Sequence, residues 1–104
     1  MDKTSLLKTI RSALEKAYGP RLRGVLLYGS EARGEARTDS DIDVLVLLDR
    51  VSNYSEELRG CLGALYPLSL KMGRSISPKP VDARQYESLD CPLYRQVHRE
   101  GIPA

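Results

Sequence analysis

Leu6, Leu7, Ile10, Leu14 and Tyr18 recur at the three- and four-residue steps of one helix face, which predicts an amphipathic helix lying over a sheet. Thr4 or Ser5 is its expected cap and Gly19-Pro20 its stop. Residues 24–28, Gly-Val-Leu-Leu-Tyr, read as a short buried strand. In the next apolar run Ile42, Val44, Val46 and Leu48 share one face, while Leu45 and Leu47 continue the face begun by Asp41 and Asp43. A strand buried on both sides beyond Asp43 follows. Residues 49–52 form a turn, and Asn53 caps a long helix carrying Leu58, Cys61, Leu62 and Leu65. Pro67 predicts a kink or break near Tyr66, and Gly73 ends the helix.

Residues 75–81 read as a third strand in which Pro78 and Pro80 remove N–H groups from the same side, as an edge strand allows. Asp82 to Gln85 resembles a capping box opening a short helix through Tyr86 to Leu89. A last helix from Pro92 to about Glu100 presents Leu93, Tyr94 and Val97, with Cys91 as a cap and Gly101 closing it. These elements give an α/β (α+β) chain with a small mixed sheet packed by helices. A length of 104 residues, 41% hydrophobic, leaves room for one core, so residues 1–104 are expected to form one domain.

No apolar run approaches the roughly 20 residues of a membrane span, and no signal-peptide core opens the chain, so no membrane partner and a cytoplasmic location are expected. Two cysteines, Cys61 and Cys91, with one distant histidine make neither a disulfide framework nor a zinc site. The net charge of +2 is too mild to imply direct nucleic-acid binding. Its distribution is more informative: six acids against one Arg in residues 38–57 lie between basic flanks. Carboxylates for a cation surrounded by bases for phosphates suit a metal–nucleotide site.

The chemistry concentrates between Gly29 and Asp43. A strand, a Gly-Ser corner and a short helical stretch over residues 31–37 leave backbone N–H groups facing outward, where anions are favoured. Gly29 permits close approach of a phosphate, and Ser30 adds a hydroxyl; a plain strand-to-helix turn capped by Ser30 is the alternative. Asp39 and Ser40 read as turn residues. Asp41 and Asp43, one residue apart in an extended segment, fall on one face. Two carboxylates about 5 Å apart repel by roughly 3 kcal/mol at an effective dielectric near 20. With no His or Cys nearby, the pair favours a hard ion, Mg²⁺ or Mn²⁺, which usually also holds a substrate phosphate.

Gly29-Ser30, ten further residues, then Asp41-Ile42-Asp43 resembles the signature of the polymerase β-like nucleotidyltransferases. The small size and the run Pro92 to Gly101 resemble the minimal nucleotidyltransferase group, many members of which are antitoxins encoded beside a helical HEPN ribonuclease toxin. The resemblance implies the nucleotidyltransferase fold, ATP as donor and a tyrosine hydroxyl of a HEPN toxin as acceptor, silenced by AMP as in a type VII-like antitoxin. It implies Asp41 and Asp43 as catalytic and metal-binding, and Gly29 and Ser30 as holding nucleotide. Arg33 and Arg37 are placed to reach the leaving group, or to pair with Glu31 or Glu35 on the helix surface.

Enzymes of that superfamily generally use a third carboxylate on the third strand, and here the position falls near Ser77; Asp82 is the nearest substitute, although its capping role explains it without chemistry. Two alternatives therefore stand beside the protein adenylyltransferase: a non-catalytic antitoxin that neutralises by binding, and a small-molecule nucleotidyltransferase. His98 reads as a surface or partner-facing side chain, Tyr28 as packing beside the site, and homo-oligomerisation is left open.

Overall fold

A computed structural model of the chain describes every residue except Met1, Ala36, Thr38, Asp39 and Leu89. The turn expected at Asp39 and the helix end expected at Leu89 lie outside the described residues, as does part of the helical stretch expected over 31–37.

Helix α1 (Lys3–Tyr18) buries Leu6, Ile10 and Leu14 along the stripe that the spacing predicts. Its cap is Asp2 rather than Thr4 or Ser5: the Asp2 carboxylate accepts the Ser5 N–H at 2.8 Å, starting the helix two or three residues earlier. Gly19, at φ +54, ends it before a single 3-10 turn containing Pro20. Strand β1 (Leu22–Tyr28) leads into the four-residue α2 (Ser30–Arg33), and β2 (Ile42–Leu48) returns antiparallel to β1.

Helix α3 (Tyr54–Met72) is capped by the Asn53 side chain and ended by Gly73 in the left-handed region. It runs through Pro67 as one helix, so of the kink or break expected near Tyr66 the break does not occur. Pro67 deprives the Gly63 carbonyl of its intrahelical donor, but Gly63 and Pro67 are both solvent-exposed, so water can satisfy that carbonyl. Strand β3 (Ile76–Asp82) then pairs parallel to β2, and α4 (Ala83–Ser88) and α5 (Pro92–Glu100) follow. Cys91 occupies the position ahead of α5 without a side-chain capping bond.

The sheet order is β3-β2-β1-β4, with β3 at one edge as its prolines require. Strand β4 (Ile102–Pro103), which no sequence pattern signals, lines the other edge against Leu26 and Leu27 of β1. The sheet has an apolar cluster on each face. On the α1/α3 side, Ile10, Leu14, Leu27, Ile42, Val44, Val46, Leu48, Cys61 and Leu65 are buried. Under α4 and α5, Leu45, Val81, Tyr86 and Val97 form a smaller cluster with Tyr28, Leu93 and Tyr94 against it. From Val44 onward β2 has apolar residues toward both faces, whereas at its start Ile42 is buried in the core and Asp43, on the other face, is half-buried. No described helix is long and apolar enough to cross a membrane.

Candidate active site

The antiparallel register sets Tyr28, the last residue of β1, opposite Asp43 near the start of β2. Gly29 therefore turns directly over the Asp43 carboxylate. Its φ of +75° lies in the region that favours glycine, and a Cβ built there would stand 2.6 Å from Asp43 Oδ2. The chain needs glycine here on two counts, for the backbone angle and for the space. Gly29 precedes α2 as its cap residue, and its carbonyl accepts the Arg33 N–H at 3.1 Å. Ser30 is the first helical residue rather than the cap. Gly34, also left-handed, closes the turn with its N–H toward the carbonyls of Glu31 and Ser30.

Asp41 is exposed at the entrance to β2, and Asp43 is half-buried two residues on, the same-face pair that strand alternation dictates. Burial raises the Asp43 pKa above the ordinary carboxylate range, the charge of Asp41 raises it further, and Arg33 works in the opposite direction. Arg33 offsets only part of this, so the protein's own groups relieve the pair incompletely. An all-oxygen donor set under such strain fits a hard divalent cation, and Asp41 and Asp43 are the side chains that could hold one. No cluster of three or more His, Cys, Asp or Glu side chains with metal-holding geometry occurs among the described residues.

Parallel pairing puts Ser77 beside Asp43, and the Ser77 hydroxyl donates to Asp41 Oδ2 at 3.3 Å. The third-strand position next to the pair is therefore a hydroxyl, as the sequence suggests. Asp82 cannot substitute for it. It pairs with Leu48 at the opposite end of β2, five residues from Ser77, or about 17 Å at the strand rise. Its carboxylate is also committed, accepting the Arg84 N–H at 2.9 Å and the Val51 N–H at 3.4 Å.

Arg33 sits near enough for its charge to act on Asp43, but its guanidinium pairs with Glu35 at 2.7 Å and Glu100 at 3.0 Å. Of the two helix-surface partners weighed for it, Glu35 is the one used. Glu31 pairs instead with Arg74 at 2.7 Å, and Arg74 also donates to the Ser40 carbonyl. Sequence reasoning passes over Arg74, since a lone Arg after a helix stop looks like surface charge. Arg37 is exposed, and its backbone N–H donates to Ser40 Oγ. Tyr28 is half-buried in the smaller cluster; burial and, after it, the Asp43 charge raise its pKa. His98 is solvent-facing on α5 and stacks on Tyr86 at 4.3 Å. An open polar cleft of about 1080 Å³ lies at the far end of the sheet, where Arg21 pairs with Asp49 and Glu57 and Asp82 forms part of the wall. It has no member of the Gly29–Asp43 constellation.

Residues 7–102 match the family model described as a nucleotidyltransferase domain, a span that includes every residue of this constellation. A candidate protein adenylyltransferase of Methanocaldococcus jannaschii is 34% identical over 58 residues, 56% of this chain and 58% of that protein. The matched region thus spans under two thirds of that relative. A solved candidate minimal nucleotidyltransferase is 30% identical with a TM-score of 0.58, covering 100% of this chain and 97% of the other. A toxin–antitoxin crystallised with AMP-PNP aligns at a TM-score of 0.64 and 19% identity, covering 99% of this chain and 72% of the other. At that identity the likeness is one of fold.

Proposed function

This chain belongs to the nucleotidyltransferase domain family, and from that premise we propose that it transfers AMP from ATP to a hydroxyl of a partner protein, a tyrosine of a HEPN ribonuclease toxin, as an antitoxin. The observation that carries the reading is the approach of Gly29 to Asp43, which brings a backbone open to phosphate within reach of the carboxylate pair. Resemblance to toxin–antitoxin structures, one holding an ATP analogue, supports the partner class and the nucleotide.

Asp41 and Asp43 would hold Mg²⁺ or Mn²⁺, which when bound supplies positive charge to the phosphates. The Gly29 backbone and the Ser30 hydroxyl accommodate the outer phosphate oxygens. Arg33 turns from Glu35 and Glu100 toward the leaving group. The acceptor hydroxyl oxygen forms a bond to the α-phosphorus as the bond to the bridging oxygen breaks, and pyrophosphate departs. Ser77 cannot take up the hydroxyl proton, which passes to water.

Ser77 itself favours a second reading, in which the same fold neutralises the toxin by binding and keeps nucleotide as a ligand. One experiment separates the two. The protein is incubated with the product of its neighbouring gene, ATP and Mg²⁺, and intact masses are taken, with an Asp41→Asn/Asp43→Asn variant as control. AMP added to the neighbour by the parent protein alone supports transfer. A stable inhibitory complex with no mass change refutes it in favour of binding.

A further inference from the structure

The two halves of the site belong to different elements. Gly29 and Ser30 lie where β1 gives way to α2, whereas Asp41 and Asp43 lie at the entrance to β2. A four-residue helix has too few internal hydrogen bonds to hold its own position. Beyond the pairing of Tyr28 with Asp43 across β1 and β2, a third element joins the halves. Arg74, directly after the Gly73 cap of α3, places Nη1 on Glu31 Oε1 at 2.7 Å. Its Nη2 and Nε donate to the Ser40 carbonyl at 3.0 and 3.3 Å. Glu31 directly follows Ser30, and Ser40 directly precedes Asp41. Each anchor is therefore one residue from a member of the site.

Arg74–Glu31 is the one described ion pair in which both side chains are less than one-fifth exposed, at 19% and 16%. The remaining pairs each have a partner at 39% or more and belong to the solvated surface. Its shielding from water makes this contact a geometric constraint rather than a loose surface attraction. A planar guanidinium suits the task because its fork engages two acceptors in fixed directions; a lysine ammonium is a single point on a flexible stem.

We propose that Arg74 is a positioning residue for nucleotidyl transfer, a brace that fixes the Gly29-Ser30 corner relative to the Asp41–Asp43 pair. The inference rests on the transferase reading above. Arg74 touches neither carboxylate of the pair and acts through Glu31 and Ser40.

The test compares Arg74→Gln, Arg74→Lys, the charge swap Glu31→Arg/Arg74→Glu, and Arg95→Gln as a surface-pair control, all in the full chain. AMP transfer to the neighbouring gene product is measured alongside thermal unfolding. Misplacement of reacting groups by about 1 Å costs on the order of 100-fold in rate, so Arg74→Gln should lose that much in kcat while KM for ATP moves less than about threefold. Arg74→Lys, which keeps one arm, and the swap, which restores only the Glu31 arm, should recover part of the rate; Arg95→Gln should match the parent. Parent-like kcat in Arg74→Gln, or a loss no larger than its unfolded fraction, overturns the proposal.

Should the parent itself transfer no AMP, the functional reading fails and the brace is judged by amide hydrogen exchange. The bonds Arg33 N–H to Gly29 and Ile42 N–H to Ser75 report the two halves. Faster exchange at both in Arg74→Gln, with unchanged exchange in the core of β2, upholds the brace; unchanged exchange at both overturns it.

Discussion

Replacing Gly29 with alanine tests the point on which the site's geometry turns. The added Cβ meets two separable penalties. The first is the backbone conformation, φ +75° and ψ −153°, a sparsely populated region costing a non-glycine residue about 2 kcal/mol. The second is the contact at 2.6 Å with Asp43 Oδ2, which forces the carboxylate off its rotamer at about 1 kcal/mol. The sum, about 3 kcal/mol, corresponds to a fall in Tm of about 15 °C for a chain of this size. The two terms come apart in the background of Asp43→Ala, because the Asp43 Cβ lies 3.6 Å from the added carbon, an ordinary contact. There Gly29→Ala should cost only the conformational part, about 2 kcal/mol, leaving a coupling near 1 kcal/mol between the positions. Urea unfolding of the four proteins measures this directly. If Gly29→Ala alone unfolds within about 0.5 kcal/mol of the parent, the left-handed turn over the carboxylate is not what the sequence enforces, and the reasoning fails.

Four further outcomes follow from the same geometry. Asp43 has a raised carboxyl pKa in the fold, so its contribution to stability is present at acid pH and lost as pH rises through that folded value; Asp43→Asn should flatten this acid-side dependence and raise Tm at neutral pH, read from Tm across pH without divalent ions. Added Mg²⁺ should raise the Tm of the parent but not that of Asp43→Asn, and equal shifts in both would remove Asp43 from the metal site. Ser77→Asp brings a third carboxylate beside Asp41 and should tighten Mn²⁺ binding in calorimetry while lowering stability in its absence; unchanged affinity would show that the third-strand position does not address the cation. Asp82→Ala loses a helix cap and should cost about 1 kcal/mol with transfer per folded molecule unchanged, whereas a proportionate loss of transfer would return Asp82 to the site.

Much of the architecture was legible because burial leaves a periodic imprint. The stripe Leu6–Ile10–Leu14, the doubly apolar β2 and the prolines of β3 each state a requirement of packing or pairing in residue type. The candidate site's carboxylates stood out for the same reason, since two same-face aspartates at the entrance to a buried strand are costly for packing alone. The failures share a different cause. Strand β4 is two residues held by backbone pairing with β1, and such pairing leaves no mark in side-chain type. The Asp2 cap competes with nearby residues of equal capping power, so only the register of the helix decides among them. Pro67 is tolerated because of where it faces, and facing depends on the neighbours of α3. Arg74 joins segments 34 and 43 residues away, contacts that become visible only once the chain is folded.

The two rims of the sheet bear on how the protein behaves in concentrated solution. Alternate residues of β3 point their backbone groups outward, and since the Ser75 carbonyl accepts from Ile42 on the inner side, residues 76, 78, 80 and 82 form the outward row. Two of those four are prolines, so half the donors that an incoming strand would need are missing. On the opposite rim, β4 covers Leu26 and Leu27, and the Ala104 N–H closes on the Val25 carbonyl. A sheet blunted in this way resists edge-to-edge aggregation during synthesis and storage, before any partner is present to shield it.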